Sequence, residues 1–170
     1  TATRRRAISF CSRALAAAFP KSLYIPVDDI RNMVVSGLLL PAAEWSDGLA
    51  EQIRLARESV THMALSYARA GFAVVIDDFW DPGHAADYCA LFEAAPVGKV
   101  VLYPQQAEAH QRNFRRSGGS PDRVYIDEGI RIVYNQLNPM LPELAQQGWR
   151  VLDTTALSVE ATVEAILSGA

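Results

Sequence analysis

The residues best suited to chemistry are carboxylates and arginines that come directly after short apolar runs. Asp28-Asp29-Ile30-Arg31 follows LYIPV, Asp77-Asp78 follows AVVI, Arg112-Asn113-Phe114-Arg115-Arg116 closes a helical stretch after KVVLY, and Asp153-Thr154-Thr155 follows WRVL. An acid at the end of a buried strand can hold a divalent cation, directly or through its waters, beside a polyanion. A second acid on a neighbouring strand, Asp28, stands where a transfer reaction needs a base for the proton of an attacking hydroxyl. The competing readings are structural: Asp77 and Asp78 as the polar end of a strand before the turn at Asp81-Pro82-Gly83, and Asp28 or Asp29 as a helix cap. Arg31 lies one helical turn after Asp28, placed to hold an acceptor's phosphate or carboxylate or to form an ordinary ion pair. Arg112, Arg115 and Arg116 share a helical face just before Ser117-Gly-Gly-Ser120. That is either a solvated face or a mobile lid bringing positive charge to a transferred group.

These residues need a scaffold that gathers strand ends. Five apolar runs have the form of buried parallel strands: Ala7–Phe10, Leu23–Val27, Ala73–Ile76, Lys99–Tyr103 and Trp149–Leu152. Helical spacing fills the intervals, over Cys11–Phe19, Asp29–Ser36, Ser46–Ala70, Ala85–Glu93, Gln105–Arg116, Pro121–Leu137 and Ser158–Leu167, several with Ser starts and Gly stops. The alternation predicts a three-layer α/β/α domain around a five-stranded parallel sheet, with its ligand site beyond the carboxyl ends of the strands.

The 170 residues suit a single domain spanning the whole chain, with a lid segment around 105–123. Half the residues are hydrophobic and about a fifth charged, which excludes a disordered chain. Sixteen basic and nineteen acidic side chains give a net charge of −3, which disfavours a long nucleic-acid track without excluding a short end-binding site. Cys11 and Cys89 are too few for a disulfide framework and fit two reduced thiols in a cytoplasmic protein. No apolar run reaches the roughly twenty residues of a membrane helix, and the stretch after TATRRR is too short for a signal peptide.

VDDIR after the second run, the Walker B-like VVIDD after the third, the helix ending RNFRR and the terminal GWRVLDTTALSVEATVEAIL together resemble the small P-loop kinases. Within that group the chain is most similar to chloramphenicol phosphotransferase-like ATP-binding proteins, and DxxR is shared with polynucleotide kinases and zeta toxins. The resemblance implies an ATP- and Mg²⁺-dependent kinase moving the γ-phosphoryl to a hydroxyl of a small-molecule acceptor, with a 5′-hydroxyl polynucleotide kinase as the alternative. It implies Asp28 as general base, Arg31 and Asp78 on the acceptor side, and Asp77 as the Mg²⁺-associated acid. Arg112, Arg115 and Arg116 would form the lid and Thr154 would lie near the adenine.

One element of that pattern is absent. The loop G-x-x-x-x-G-K-[ST], which cradles phosphates on backbone N–H groups and a lysine, does not occur, and the only lysines are Lys21 and Lys99. Its flanks are present: Arg6–Phe10 as a strand and Cys11–Ala16 as the helix after it, joined with no turn residue between them. Even short strand-to-helix connections need about two residues, so about eight to ten residues are expected to be missing at Phe10–Cys11, passed over in the numbering or deleted. If the chain is continuous there, the nucleotide site is crippled and a binding or scaffold role without catalysis is the better reading.

Overall fold

A computed structural model describes residues 6–40, 45–81, 84–120 and 122–169. It is a mixed α/β structure in which residues 15–97 form one compact unit and residues 1–14 with 98–170 form another. The Asp81-Pro82-Gly83 turn and the start of the Pro121 helix lie partly outside the described residues.

Helix α1 spans Arg6–Ala17. The expected strand Ala7–Phe10 is therefore not formed; these residues are the first turns of α1. The physical reason is the alanine-rich Cys11–Ala17, to which they are joined with no turn residue after Phe10. Starting a helix is costly while extending one is cheap, so the helix propagates back through the junction. Phe10 and Cys11 are consecutive residues of this helix.

In the unit 15–97, strand β1 (Ser22–Pro26) leads into the single-turn helix α2 (Val27–Arg31). The long helix α3 (Asp47–Arg69) returns the chain to β2 (Ala73–Asp77), after which come α4 (His84–Asp87) and α5 (Cys89–Ala94). The two strands pair in parallel from Ser22 opposite Ala73 to Pro26 opposite Asp77. Such pairing requires a long crossover, here supplied by α3. The ends of α3 match the sequence signals closely. Ser46 Oγ accepts from Leu49 N at 3.2 Å, and Gly71 takes φ +79°, the left-handed conformation that a Cβ would strain. The core gathers Ile25 and Val27 from β1 and α2, Ala56, Val60 and Ala64 from α3, and Tyr88 and Leu91 from the α4–α5 region.

In the other unit, β3 (Lys99–Leu102) precedes α6 (Gln106–Ser117), α7 (Asp122–Leu137), a 3₁₀ turn at Asn138–Met140 and α8 (Leu141–Gln146). The chain then forms β4 (Trp149–Leu152) and α9 (Val159–Leu167). Strand β4 pairs in parallel with β3, Lys99 opposite Trp149 and Leu102 opposite Leu152. Ser158 caps α9 by accepting from Ala161 N at 3.1 Å.

Four of the expected strands thus form among the described residues, as two two-stranded parallel sheets rather than one five-stranded sheet. Every residue of β2, β3 and β4 is half-buried, not fully enclosed. No helix of the described residues is long and apolar enough to cross a membrane.

Ile25 is 2% exposed at the centre of the first unit's core. Ile25→Ala is expected to cost about 2–5 kcal/mol, the range for truncating a buried aliphatic side chain, as a lowered midpoint in urea unfolding monitored by far-UV circular dichroism.

Candidate functional site

The carboxyl ends of β1 and β2 carry the expected acids. Pro26 closes β1 opposite Asp77, and Asp28 comes two residues later in the first turn of α2. Proline offers no N–H to continue a ladder and sits well at a strand end. Asp77 Oδ2 accepts from Tyr24 Oη at 2.9 Å, across the strand pair. The Asp28 side chain is 54% exposed, and its Oδ1 accepts from Arg31 Nη1 at 3.2 Å. Arg31 itself is 6% exposed; its Nη2 donates to Leu39 O at 3.0 Å, and its guanidinium lies 6.0 Å from the Phe79 ring centre. Arg31 therefore meets Asp28 as the spacing required, but as a buried support and not as an open acceptor contact.

Asp78, expected on the acceptor side, is turned inward. Arg57 of α3 is fully buried and donates from Nε to Asp78 Oδ2 at 2.7 Å, from Nη1 to Asp87 Oδ2 at 2.9 Å and from Nη2 to Asp81 Oδ2 at 2.5 Å. Nη2 also reaches Phe79 O at 3.3 Å, and Tyr88 Oη donates to Asp78 Oδ2 at 3.1 Å. Burial alone would lower the Arg57 pKa, yet Asp78 and Asp81 carry it above the ordinary arginine range. Tyr88 is raised by burial and by Asp78. His84, its Nδ1 3.1 Å from Phe79 O, is lowered chiefly by burial and further by Arg57, against the pull of Asp78. The hub locks the segment after β2, so Asp78 serves structure while Asp77 stays at the strand end. Sequence reasoning missed Arg57. Its signal was a single arginine among the buried positions Leu49, Ile53, Ala56, Val60 and Ala64 of α3, with Asp78, Asp81 and Asp87 downstream.

The arginine cluster and Thr154 belong to the other unit. Arg112 donates from Nε to Glu108 at 3.0 Å and from Nη2 to Thr154 O at 2.6 Å, tying α6 to the segment after β4. Thr154 is buried at 4% exposure. Arg115 is 64% exposed and bonds Glu108 and Gln111 on its own helix. Arg116 approaches Asn113 Oδ1 at 3.4 Å, and burial lowers its pKa. Asn113 joins α6 to α7 through Arg123 O and Asp127 Oδ1, and Asp127 is held below the ordinary carboxylate range by the Asn113 amide and His110. The three arginines are therefore not one cationic face: Arg112 and Arg116 turn to neighbouring groups, and Arg115 is the one that faces solvent.

Among the described residues, those around Phe10–Cys11 and the two lysines do not form a cradle for the phosphates of a nucleotide. A phosphate cradle needs N–H groups not already bonded, as at the start of a helix. Cys11 and the residues after it lie inside α1, where backbone N–H groups are spent on carbonyls four residues back. Lys21 Nζ donates to Ala70 O at 2.8 Å and Lys99 Nζ to Gln147 O at 2.6 Å, so both lysines serve local structure. Among the described residues no group of three His, Cys, Asp or Glu side chains is placed to hold a metal ion. No protein-family model matches the chain, and no curated protein matches it.

The hub generates two expected outcomes. Arg57→Ala leaves three carboxylates facing each other in a buried site and is expected to destabilise the unit by about 3–5 kcal/mol, measured by urea unfolding. Because folding lowers the His84 pKa, the stability it contributes is present above the ordinary histidine range, about 6.5, and is lost as pH falls below it. His84→Gln should flatten the stability profile over that window in pH-dependent denaturant titrations.

Proposed function

We propose that the chain is a small-molecule phosphotransferase domain of the P-loop kinase type that keeps the acceptor half of its site and lacks the loop that cradles the donor's phosphates. As it stands it binds without turning over. The observation that carries the first half is the placement of Asp28 and Asp77 at the same end of two paired parallel strands. A half-exposed carboxylate oriented by a buried arginine can accept the proton of an acceptor hydroxyl while the arginine keeps it aimed. The second half is supported by the unbroken run of α1 through Phe10–Cys11.

This reading carries a finer fold with it: one five-stranded parallel sheet in three layers, which needs a fifth strand beyond the four described. Restoring the loop would remove the reason for Ala7–Phe10 to be helical. ATP and Mg²⁺ are the donor and metal that the reading calls for once the loop is present, with Asp77 as the acid nearest the metal and Arg115 as the exposed lid arginine. A cytoplasmic setting suits a sequence with only two cysteines, Cys11 and Cys89.

The test compares the chain with a variant carrying a G-x-x-x-x-G-K-[ST] loop inserted between Phe10 and Cys11. Thermal unfolding of the chain itself should show no midpoint shift with millimolar Mg-ATP, whereas the loop-bearing variant should be stabilised by ligand binding to its folded state. That variant should transfer phosphoryl groups to an alcohol acceptor, and Asp28→Asn within it should lower transfer about 10²–10⁴-fold, the usual contribution of a general base, with Mg-ATP binding kept. A shift in the original chain, or a folded loop-bearing variant that ignores Mg-ATP, overturns the reading.

A further inference from the structure

We infer that Gln52 is a positioning residue for Asp28, acting through the backbone of residues 37–39 and through Arg31. The importance given to Asp28 rests on the proposed kinase-type function, while the relay itself is a matter of geometry.

The backbone of residues 37–39 forms no helix or strand, so its polar groups need partners from elsewhere. Gln52, one turn into α3, supplies two at once. Its Oε1 accepts from Leu39 N at 2.9 Å and its Nε2 donates to Gly37 O at 2.8 Å. The carbonyl of the same strap residue, Leu39 O, accepts from Arg31 Nη2, and Nη1 of that guanidinium donates to Asp28 Oδ1. A guanidinium is planar and its donors point in fixed directions, so whatever fixes Nη2 also fixes the line along which Nη1 meets the carboxylate. Arg31 Nε is buried without a hydrogen-bond partner and offers no third anchor. Within the burial that encloses Arg31 beside Phe79, its two Nη bonds, one to the strap and one to Asp28, set the direction of its donors.

Met33, Val35 and Leu40 around the strap are 70%, 98% and 59% exposed, and within it Leu38 is half-buried, so apolar burial fastens this stretch only in part. Leu39 lies close against the start of α3, where a Cβ at Gly48 would stand 3.0 Å from Leu39 Cδ1. Gln52 and Gly48 both belong to α3, so the long helix sets the strap, the strap sets Arg31, and Arg31 sets Asp28.

The test uses the full isotopically labelled chain and reads three signals by NMR: exchange of the Leu39 amide, the Arg31 Nε–H resonance and the Asp28 carboxyl carbon. In Gln52→Leu the Leu39 amide should exchange about tenfold faster, the scale of one lost hydrogen bond, and the Arg31 and Asp28 signals should both move. Gln52→Glu, which keeps an acceptor for Leu39 N and loses the donor to Gly37 O, should give intermediate shifts. Arg31→Lys, whose ammonium cannot bridge two partners in a fixed plane, should move the Asp28 signal in the same direction. Faster Leu39 exchange with unmoved Arg31 and Asp28 signals would overturn the relay and leave Gln52 as a local clamp. If Gln52→Leu does not fold, Gln52→Glu and Arg31→Lys decide the matter, and an unmoved Asp28 signal in both overturns it. None of these signals depends on phosphoryl transfer, so they fail or succeed separately from the kinase reading.

Discussion

One buried guanidinium organises the first unit. Arg57 stands on the core-facing side of α3 with no exposed surface, at a position where the neighbouring turns carry Ile53, Val60 and Ala64. Taking a cation out of water costs several kcal/mol, and each carboxylate brought to it adds its own cost. Such a site persists only if the donors are used, and Arg57 bonds Asp78, Asp81, Asp87 and the Phe79 carbonyl. Because these partners come from the segment after β2 and from α4, satisfying the arginine dictates the path of the chain where it leaves the sheet. The conformation of the strand end is thus a consequence of charge pairing inside the protein, and only secondarily of the turn residues in the sequence.

The same constraint separates two adjacent aspartates. Strand β2 ends at Asp77, and Asp78 belongs to the segment that Arg57 draws inward. Asp78 enters the hub with Arg57 and Tyr88, while Asp77 meets Tyr24 across the strand pair. After β1, Asp28 stands two residues beyond Pro26 in a single helical turn and keeps half its surface in solvent. Support from α3 reaches both strand ends, through Arg57 on one and through Gln52 on the other.

Much of this was legible in the sequence where local chemistry decides the outcome. The strands at LYIPV, AVVI, KVVLY and WRVL appear within a residue or two of their expected bounds, and Ser46, Gly71 and Ser158 end helices by the mechanisms their residue types imply. Two things were not legible. The apolar run Ala7–Phe10 is too short for periodicity to distinguish strand from helix, and its fate is decided by the alanine-rich helix to which it is joined. Arg57 looked like one more charge on an amphipathic helix, because its partners lie between 21 and 30 residues away in the chain. Asp78 was misplaced for the same reason: spacing reveals a neighbour on the same helix but not a cation arriving from another one.

In the proposed reading, the junction at Phe10–Cys11 is the point at which binding and catalysis part. The first unit's core, built from β1, α2, α3, Tyr88 and Leu91, lies wholly within residues 15–97. A phosphate cradle is different in kind, since it is made of backbone N–H groups that must be left unbonded by the surrounding structure. A helix running through that position spends the same groups on its own carbonyls. On the proposed reading, acceptor-side and donor-side geometry are therefore separable: the first would arise from buried side-chain contacts within one unit, the second from a break between strand and helix that a continuous α1 does not permit.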